Sequence, residues 1–227
     1  MVAARSLAEG TAWCEATLGI TPNAGGEHEQ YGTHNRLFNI ATPRYPMAYF
    51  EIIAVNPVAS ALKRTASKRW FDLDDDVLQA SIAQKPALIH FVVNTTAIQV
   101  ASNIWRMQGL DIGPIVHAQR QTDQGMLDWQ ITVRNDGQRL LDGTLPTLIQ
   151  WGQPDSAKPM RLHPSNSLPQ SGVSLQNFTV SHPTAQTLES ACKAIHFKDI
   201  EIRTGEANMS AHLQTPKGLV VLQSQGL

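Results

Sequence analysis

An internal repeat is the feature that most constrains what this chain can fold into. Three times along the sequence an amphipathic helical pattern ends at a stop residue, and the stops are Gly19, Gly109 and His196. They recur about 90 residues apart, which is typical of a repeated supersecondary unit. The repeat therefore predicts a chain assembled from similar modules.

Each predicted helix is followed by short runs of strand-type residues. The helices are predicted over residues 5–18 and 96–108 and after Thr184. A strand-type run also precedes the second helix, at Leu88–Val93, and the third, at Leu175–Val180. One helix followed by about three antiparallel strands predicts βαβββ modules and an α+β fold. The runs that follow the helices are Arg36–Ile40, Ala48–Val55, Ile115–Ala118, Asp128–Arg134, Thr147–Trp151, Ile200–Thr204, Met209–Gln214 and Leu219–Gln223.

The first module has an incomplete beginning. Only Met1–Ala4 precede its helix, which is too short for a full strand. We expect either a truncated first strand or a chain that begins inside a longer product. Because an incomplete strand leaves a sheet edge that a second copy can cover, a homodimer is also expected.

Two connecting segments separate the modules. Residues 56–86 join the first module to the second, and residues 153–173 form a Pro-rich linker to the third. The predicted organisation is therefore a paired core over residues 1–152, the linker, and a third βαβββ half-unit over residues 174–227.

Composition and charge argue against several classes of partner. The net charge is −1, and the sequence has no basic stripe of the kind that neutralises nucleic-acid phosphates. No apolar run approaches the ~20 residues that span a bilayer, and residues 1–10 lack the apolar core of a secretion signal. The two cysteines, Cys14 and Cys192, fall in helical patterns and predict no disulfide framework. We expect a cytoplasmic protein that contacts neither nucleic acid nor membrane.

Five motifs, taken in order, resemble those of a known family. They cover about residues 1–152, and residues 174–227 resemble a further half-unit that follows such a core. On these motifs the sequence resembles the glyoxalase-like domain family of the vicinal-oxygen-chelate superfamily. The motifs are Gly32-Thr33-His34-Asn35, Tyr49–Ala54, Arg69–Asp74, Leu127–Gln130 and Leu145–Gly152.

The resemblance implies an architecture and the place of a site. In that superfamily, paired βαβββ units form an open, U-shaped, mostly antiparallel sheet with helices on the outside. The concave face holds a small-molecule site, often with a divalent metal whose ligands come from the first and last strands of each unit. Isomerases, ring-cleaving dioxygenases, thiol transferases and metal-free binding proteins share this fold, so the fold alone does not settle function.

The metal-ligand set that the resemblance implies is incomplete here. Glu51 matches the ligand on the last strand of unit one, whereas Leu88 and the neutral Gln150 stand at two other ligand positions, and the fourth position precedes Met1. Carboxylate and imidazole are the usual ligands of such metals, and an amide is a poor one. His90 lies two residues after Leu88 and can substitute. A divalent metal on Glu51 and His90 is one hypothesis; a buried structural carboxylate and a hydrogen-bonded core histidine are the alternatives.

Other candidates for ligand contact are polar or aromatic. His34 and Asn35 stand at the entry to a strand, where they can line the concave face or serve as turn residues. Arg120 can clamp an anionic group with its guanidinium fork. Trp129 and Gln150 complete the candidate binding set, and core packing is the alternative for Trp129.

Two functions remain open. In the first, the protein is a lyase, isomerase or dioxygenase-type enzyme in which Glu51 is a general base or metal ligand and His34 or His90 assists. Desolvation in an apolar strand makes a carboxylate more basic, which suits this role. In the alternative, a metal-free protein binds or sequesters a small aromatic or acidic molecule without catalysis. The sequence does not specify a cofactor.

Overall fold

The computed structural model describes residues 1–59, 65–66, 68–122, 125–152 and 163–227, with residues 120–122 described by their backbone alone. Strands dominate, and the helices are short. In chain order the elements are β1 Val2–Ala3, α1 Leu7–Leu18, β2 Asn23–His28, β3 Thr33–Asn39, β4 Tyr49–Val55, α2 Asp76–Gln84, β5 Ala87–Leu88, β6 Val92–Asn94, α3 Ile98–Met107, β7 Ile115–Thr122, β8 Gly125–Thr132, β9 Thr147–Trp151, α4 Pro164–Ser167, β10 Ser174–His182, α5 Ala185–Ala194, β11 Glu201–Thr204, β12 Asn208–Thr215 and β13 Gly218–Gln223.

The first module forms a sheet with α1 packed against it. The strand order is β2-β3-β4-β1-β5, in which β1 runs parallel to β4 and the other pairs are antiparallel. Helix α1 begins at Ser6, whose side chain accepts a hydrogen bond from the Glu9 backbone N–H. It ends at Gly19, whose φ of 78° is readily adopted by a residue without a Cβ. Cys14 and Leu18 are buried on the side that contacts β3 and β4.

The second module repeats this topology. Its strand order is β6-β9-β8-β7, with β6 parallel to β9, and α3 packs against this sheet. The first module has the equivalent order β1-β4-β3-β2. This equivalence confirms the predicted repeat for the first two modules and the predicted α+β class.

One predicted strand is shared between the two sheets. The run Leu88–Val93 divides into the end of β5, which pairs with β1, and the start of β6, which pairs with β9. Residues 89–91 lie between them and carry the chain directly from one sheet to the other. The two sheets face each other, because residues of β3 and β4 and residues of β8 and β9 border the same cavity.

The third module has the predicted order of elements but a different sheet. Its strands are arranged β11-β10-β12-β13, with β10 parallel to β11. In the first two modules the leading strand pairs with the last strand, whereas β10 pairs with β11 and β12. The first two modules therefore share a pairing order, and the predicted third half-unit has its own.

The third module packs on the paired core. The indole Nε1 of Trp105 in α3 donates to the Ala191 carbonyl of α5 over 2.8 Å, and Trp105 is fully buried. The Leu175 backbone N–H donates to the Ile40 carbonyl over 2.9 Å, just beyond the end of β3. One hydrophobic cluster includes residues of all three modules. The boundaries at residues 152 and 173 stay a prediction.

The connection between the first two modules contains a helix that the sequence did not predict. Helix α2 lies within residues 56–86 and begins at Asp75, whose carboxylate accepts from the Val77 and Leu78 backbone N–H groups. Its buried residues are Leu78 and Ile82.

The expected open edge at β1 is corrected. This strand lies between β4 and β5, because Ala87–Leu88 covers its second side. The reason given for a homodimer therefore does not hold, and the homodimer itself stays a prediction. Among the described residues, no helix has both the length and the apolar character needed to cross a membrane.

Candidate functional site

A polar surface lies on the inner face of the first sheet. In the register of β3 and β4, Leu37 is opposite Glu51 and Asn35 is opposite Ile53. Because side chains alternate along a strand and directly opposed residues share a face, Asn35, Leu37 and Glu51 lie on the same side. Asn35 is buried and Glu51 is partly buried. The carboxylate of Glu51, which was predicted as the central site residue, therefore borders the cavity between the two sheets.

An apolar wall on the second sheet opposes this polar surface. Trp129 of β8 is opposite Trp151 of β9, and Ile131 is opposite Ile149. The two indole rings lie 5.5 Å apart between centroids and are inclined by 40°. All four side chains border the cavity that Glu51 also borders. We call the indoles of Trp129 and Trp151 the aromatic wall.

Two adjoining cavities occupy this region. The inner cavity, of about 50 Å³, lies between the polar surface and the aromatic wall. The chamber, of about 310 Å³, extends from there toward the third module. The residues that border both are Met1, Tyr49, Glu51, Val92, Ile149 and Trp151, so Glu51 lies where the two cavities meet.

A hydrogen-bond network holds the Glu51 carboxylate. The Asn35 side-chain amide donates to Glu51 Oε1 over 2.7 Å, and its Oδ1 accepts from the Gly26 backbone N–H over 2.8 Å. The same amide nitrogen lies 3.4 Å from His28 Nε2, and His28 Nδ1 lies 3.1 Å from Thr33 Oγ1. This arrangement is consistent with the His28 tautomer that carries its proton on Nδ1. Asn35 therefore orients both the carboxylate and the imidazole.

The sequence Gly25-Gly26 lets β2 approach this network. A Cβ built on Gly25 would lie 2.1 Å from Asn35 Oδ1 and 2.4 Å from the Asn35 carbonyl oxygen. A side chain at this position would therefore collide with the residue that positions Glu51. The register of β2 against β3 also shifts between Ala24 and Glu27, which brings His28 opposite Thr33.

His28 is a site residue that the sequence analysis missed. Two glycines lower the strand propensity of the segment, and for this reason β2 was not predicted. A usable signal was present: a Gly-Gly pair followed closely by a histidine suggests close backbone approach beside a polar side chain.

His34, predicted to be catalytic, does not lie with Glu51. It is opposite Ala54 in the register and therefore points to the other side of the sheet. Its Nε2 atom is buried without a hydrogen-bond partner, and burial lowers the pKa of the imidazole. His34 borders neither the inner cavity nor the chamber.

His90, predicted as a ligand-binding residue and a tentative metal ligand, forms hydrogen bonds within the protein core. Its Nδ1 donates to the Gly143 carbonyl over 2.9 Å, and its Nε2 lies 3.0 Å from Thr147 Oγ1. The ring is buried, and this burial lowers its pKa to about 3. With both nitrogens engaged and no contact with either Glu51 cavity, the imidazole fits the alternative of a core histidine.

Three predicted binding residues have different outcomes. Trp129 borders the inner cavity as part of the aromatic wall. Gln150 points to the opposite side of β9 from Trp151, and its Oε1 accepts from the Ile98 backbone N–H over 2.9 Å at the start of α3. The side chain of Arg120 lies outside the described residues, so its predicted anion contact has no structural account.

His163 also borders the chamber and was not predicted. Its ring meets the rings of Trp151 and Tyr49 edge to face, with centroids 5.3 Å and 5.7 Å apart. Its Nδ1 accepts from the Ser165 backbone N–H over 3.1 Å at the start of α4. Burial lowers the pKa of His163 to about 4, so the ring is neutral at pH 7. Its position in a Pro-rich linker gave the sequence no periodic signal.

The groups around Glu51 do not fit a divalent metal. Asn35 presents its N–H₂ group to the carboxylate, and this donor has the wrong polarity for a cation. The imidazole of His90 and the amide of Gln150 are bonded elsewhere. In the part of the chain that the structure describes, no three His, Cys, Asp or Glu side chains are grouped to hold a metal ion.

Comparison with known proteins finds a matching family model and solved structures of similar fold. A family model described as a glyoxalase-like domain matches residues 1–195. A crystal structure of a hypothetical protein from Staphylococcus aureus superposes with a TM-score of 0.52 at 17% identity, covering 90% of this chain and 76% of that chain.

Two methylmalonyl-CoA epimerase structures also match, each over 66% of this chain. The Mycobacterium tuberculosis protein has 13% identity, a TM-score of 0.34 and 81% of its chain covered. The Streptomyces coelicolor protein, in complex with 2-nitronate-propionyl-CoA, has 14% identity, a TM-score of 0.39 and 89% covered. None of the curated proteins matches.

The fold and the family match together define the class. The first two modules share one strand order, with helices packed against mostly antiparallel sheets. The chain belongs to the glyoxalase-like domain family.

Proposed function

We propose that this protein binds a small organic molecule between its two core sheets, with Glu51 as the principal polar contact. One observation carries the proposal: Asn35 holds the Glu51 carboxylate at 2.7 Å where the inner cavity meets the chamber. A concave, mostly apolar space with a few convergent polar groups is the usual form of a small-molecule site.

The surroundings favour a ligand with an aromatic or other apolar body. Trp129 and Trp151 offer ring surfaces on one side, and Tyr49 borders both cavities. A carboxylate accepts hydrogen bonds and has none to donate when ionised. The ligand therefore brings a hydrogen-bond donor to Glu51 and packs its apolar part on the aromatic wall.

Proton transfer by Glu51, as in a lyase- or isomerase-type enzyme, is the second candidate. The specific observation in its favour is the fixed orientation of the carboxylate by Asn35, which in turn lies beside His28. A general base needs such positioning within hydrogen-bond reach of the proton that it removes. In this candidate function Glu51 takes the proton, and Asn35 is a positioning residue.

The test is ligand binding followed by tryptophan fluorescence over a panel of small aromatic amines, alcohols and acids. We expect Glu51→Gln to weaken the best ligand about tenfold or more, because the carboxylate is lost while the side-chain shape is kept. Glu189→Gln, on the exposed side of α5, is the matched control and leaves binding unchanged. Equal affinity in the Glu51 variant contradicts the proposal.

Proton transfer has a separate test. Incubating the bound ligand in D₂O and following deuterium incorporation at carbon by mass spectrometry, after back-exchange of N–D and O–D in H₂O, distinguishes catalysis from simple binding. Incorporation that disappears in Glu51→Gln supports the enzyme. Binding without incorporation, across every ligand that binds, leaves the binding protein as the function.

Assembly and location are further proposals. We propose a homodimer, since β13, the last strand of its sheet among the described residues, exposes Leu219 and Val221. Light scattering after size exclusion tests this, and a monomer at working concentration contradicts it. A cytoplasmic location agrees with the two free, buried cysteines, Cys14 and Cys192. Fractionation of the producing cells tests the location.

A further inference from the structure

The chamber is built by two different parts of the chain. On one side it is bordered by residues of the core, including Tyr49, Glu51 and Trp151. On the other side it is bordered by the third module, whose contribution is apolar except for one carboxylate. The third-module residues at the chamber are Leu175, Phe178, Phe197, Ile200, Ala211 and Leu213, together with the exposed Asp199.

The volume of the chamber matters for what it can hold. At about 310 Å³ it is some six times larger than the inner cavity. An apolar cavity of about 150 Å³ is enough to bind benzene, so this one has room for a molecule of two or three rings. The inner cavity alone, at about 50 Å³, has room for only a small group.

The charged side chains at the chamber are of one sign. Among its described bordering residues the charged side chains are the carboxylates of Glu51 and Asp199, and neither Lys nor Arg is present. Met1 also borders the chamber; its amino group donates to the His90 carbonyl over 2.9 Å, and burial lowers its pKa to about 6 while the nearby Glu51 carboxylate opposes this shift. An anionic ligand would therefore lose its hydration without gaining a cationic side chain as a partner from these residues.

We propose that the chamber takes the apolar body of a neutral or amine-bearing ligand whose N–H or O–H donates to Glu51, and that the third module selects this body. The proposal rests on the function proposed above and names its ligand class. In this arrangement the first module supplies the polar contact and the third module supplies the shape. Acidic ligands, which the sequence also allowed, are disfavoured by the same site.

Two fluorescent probes with the same rings test the charge selection. N-phenyl-1-naphthylamine is neutral and carries one N–H donor, and 1-anilinonaphthalene-8-sulfonate adds a sulfonate to the same skeleton. We expect the neutral probe to bind with a rise in fluorescence. The affinity of the sulfonate should be lower by at least about tenfold. Equal or tighter binding of the sulfonate overturns the proposed ligand class.

A pair of variants tests the role of the third module. Leu213→Trp grows into the chamber from β12, and we expect it to weaken the neutral probe about tenfold or more. Leu222→Trp on β13 is the matched control, because Leu222 packs on the core but does not border the chamber. Unchanged binding in a folded Leu213→Trp variant overturns the proposal.

The milder variant Ala211→Val keeps the test open if Leu213→Trp fails to fold. It adds two methyl groups at the same wall, and a drop of about threefold in probe affinity is expected. Circular dichroism and the melting temperature establish that each variant is folded. A folded Ala211→Val variant with unchanged affinity counts against the chamber as the binding site.

The two proposals fail in different ways. If the probes bind and Glu51→Gln weakens them, but Leu213→Trp and Ala211→Val do not, the Glu51 site stands and the third-module inference fails. If no probe binds and the wider panel also gives no response to Glu51→Gln, the proposed function itself fails.

Discussion

The first two modules share one strand order but differ in what they place in the hollow between them. The first presents a polar network of His28, Asn35 and Glu51, whereas the second presents the indoles of Trp129 and Trp151. Gln150, on the last strand of the second module, points away from the cavity and accepts a hydrogen bond from the α3 backbone. The two modules therefore share an architecture, whereas the hydrogen-bonded polar network at the cavity belongs to the first module.

The largest expected effect concerns the aromatic wall. Trp129 is 8% exposed, and we expect Trp129→Ala to lower the free energy of unfolding by about 3–5 kcal/mol, since it removes a large buried side chain and leaves a cavity. Urea unfolding measures this change. Trp129→Phe is the control and should cost less. A loss below about 1 kcal/mol would mean that the second module does not depend on its wall.

The polar network should matter less for stability and more for binding. We expect Asn35→Leu to cost about 2–3 kcal/mol, because the Gly26 N–H and the Glu51 carboxylate each lose a partner. Asn35→Leu combined with Glu51→Leu should recover part of this loss, because no carboxylate then remains without its amide. A double-mutant cycle in urea provides the measurement. Strict additivity of the two changes would break the proposed coupling.

Acid should lower the free energy of unfolding through His90, which lies in the connection between β5 and β6. His90 has a pKa of about 3 in the folded protein, well below its ordinary value of about 6.5, so the unfolded chain binds more protons between these limits. Its contribution to stability is complete above pH 6.5 and is lost as the pH falls toward 3. The expected slope is up to about 1.4 kcal/mol per pH unit.

The measurement for His90 is the free energy of unfolding from pH 7 to pH 4. His90→Gln should flatten the profile, while His117→Gln, at an exposed position of β7, should leave it unchanged. A wild-type profile that is flat over this range would show that His90 is not held neutral by burial.

The smallest expected effect concerns Gln150. Gln150→Ala should cost about 1 kcal/mol, as expected for the loss of a side-chain acceptor at a helix start, because the Ile98 N–H is left without it. Gln150→Glu keeps an acceptor but buries a negative charge at a position only 5% exposed, so it should cost more at pH 7, although the helix N-terminus offsets part of that cost. Thermal unfolding of the two variants sharpens the contrast with Glu51. No loss in Gln150→Ala would show that this hydrogen bond is not what Gln150 contributes.

Much of the fold could be predicted because the repeat carries a backbone signal. The stops at Gly19, Gly109 and His196 all have positive φ, of 78°, 80° and 58°, and the helices end at or just before them. The element order β-α-β-β-β also held in the third module. Which strands pair could not be predicted there, because periodicity fixes the type of an element and leaves its neighbours undetermined.

The site was harder to predict than the fold. Glu51 stood out because a carboxylate in an apolar strand needs a partner. His28 did not, because the Gly25-Gly26 pair that admits it also hides its strand. The opposite directions of His34 and Asn35 follow from strand alternation, but their faces depend on a register that β4 imposes. His163 lies within residues 153–173, whose pattern predicted only a loop.

The direct passage of the chain through Ile89 and Phe91 has a consequence for what can enter the hollow. Three extended residues reach no farther than roughly 10 Å, which is also about the separation of two packed sheets. The short connection of residues 89–91 therefore limits how far the two sheets can separate at this point. We therefore expect flat ligands to fit between the two sheets more readily than thick ones.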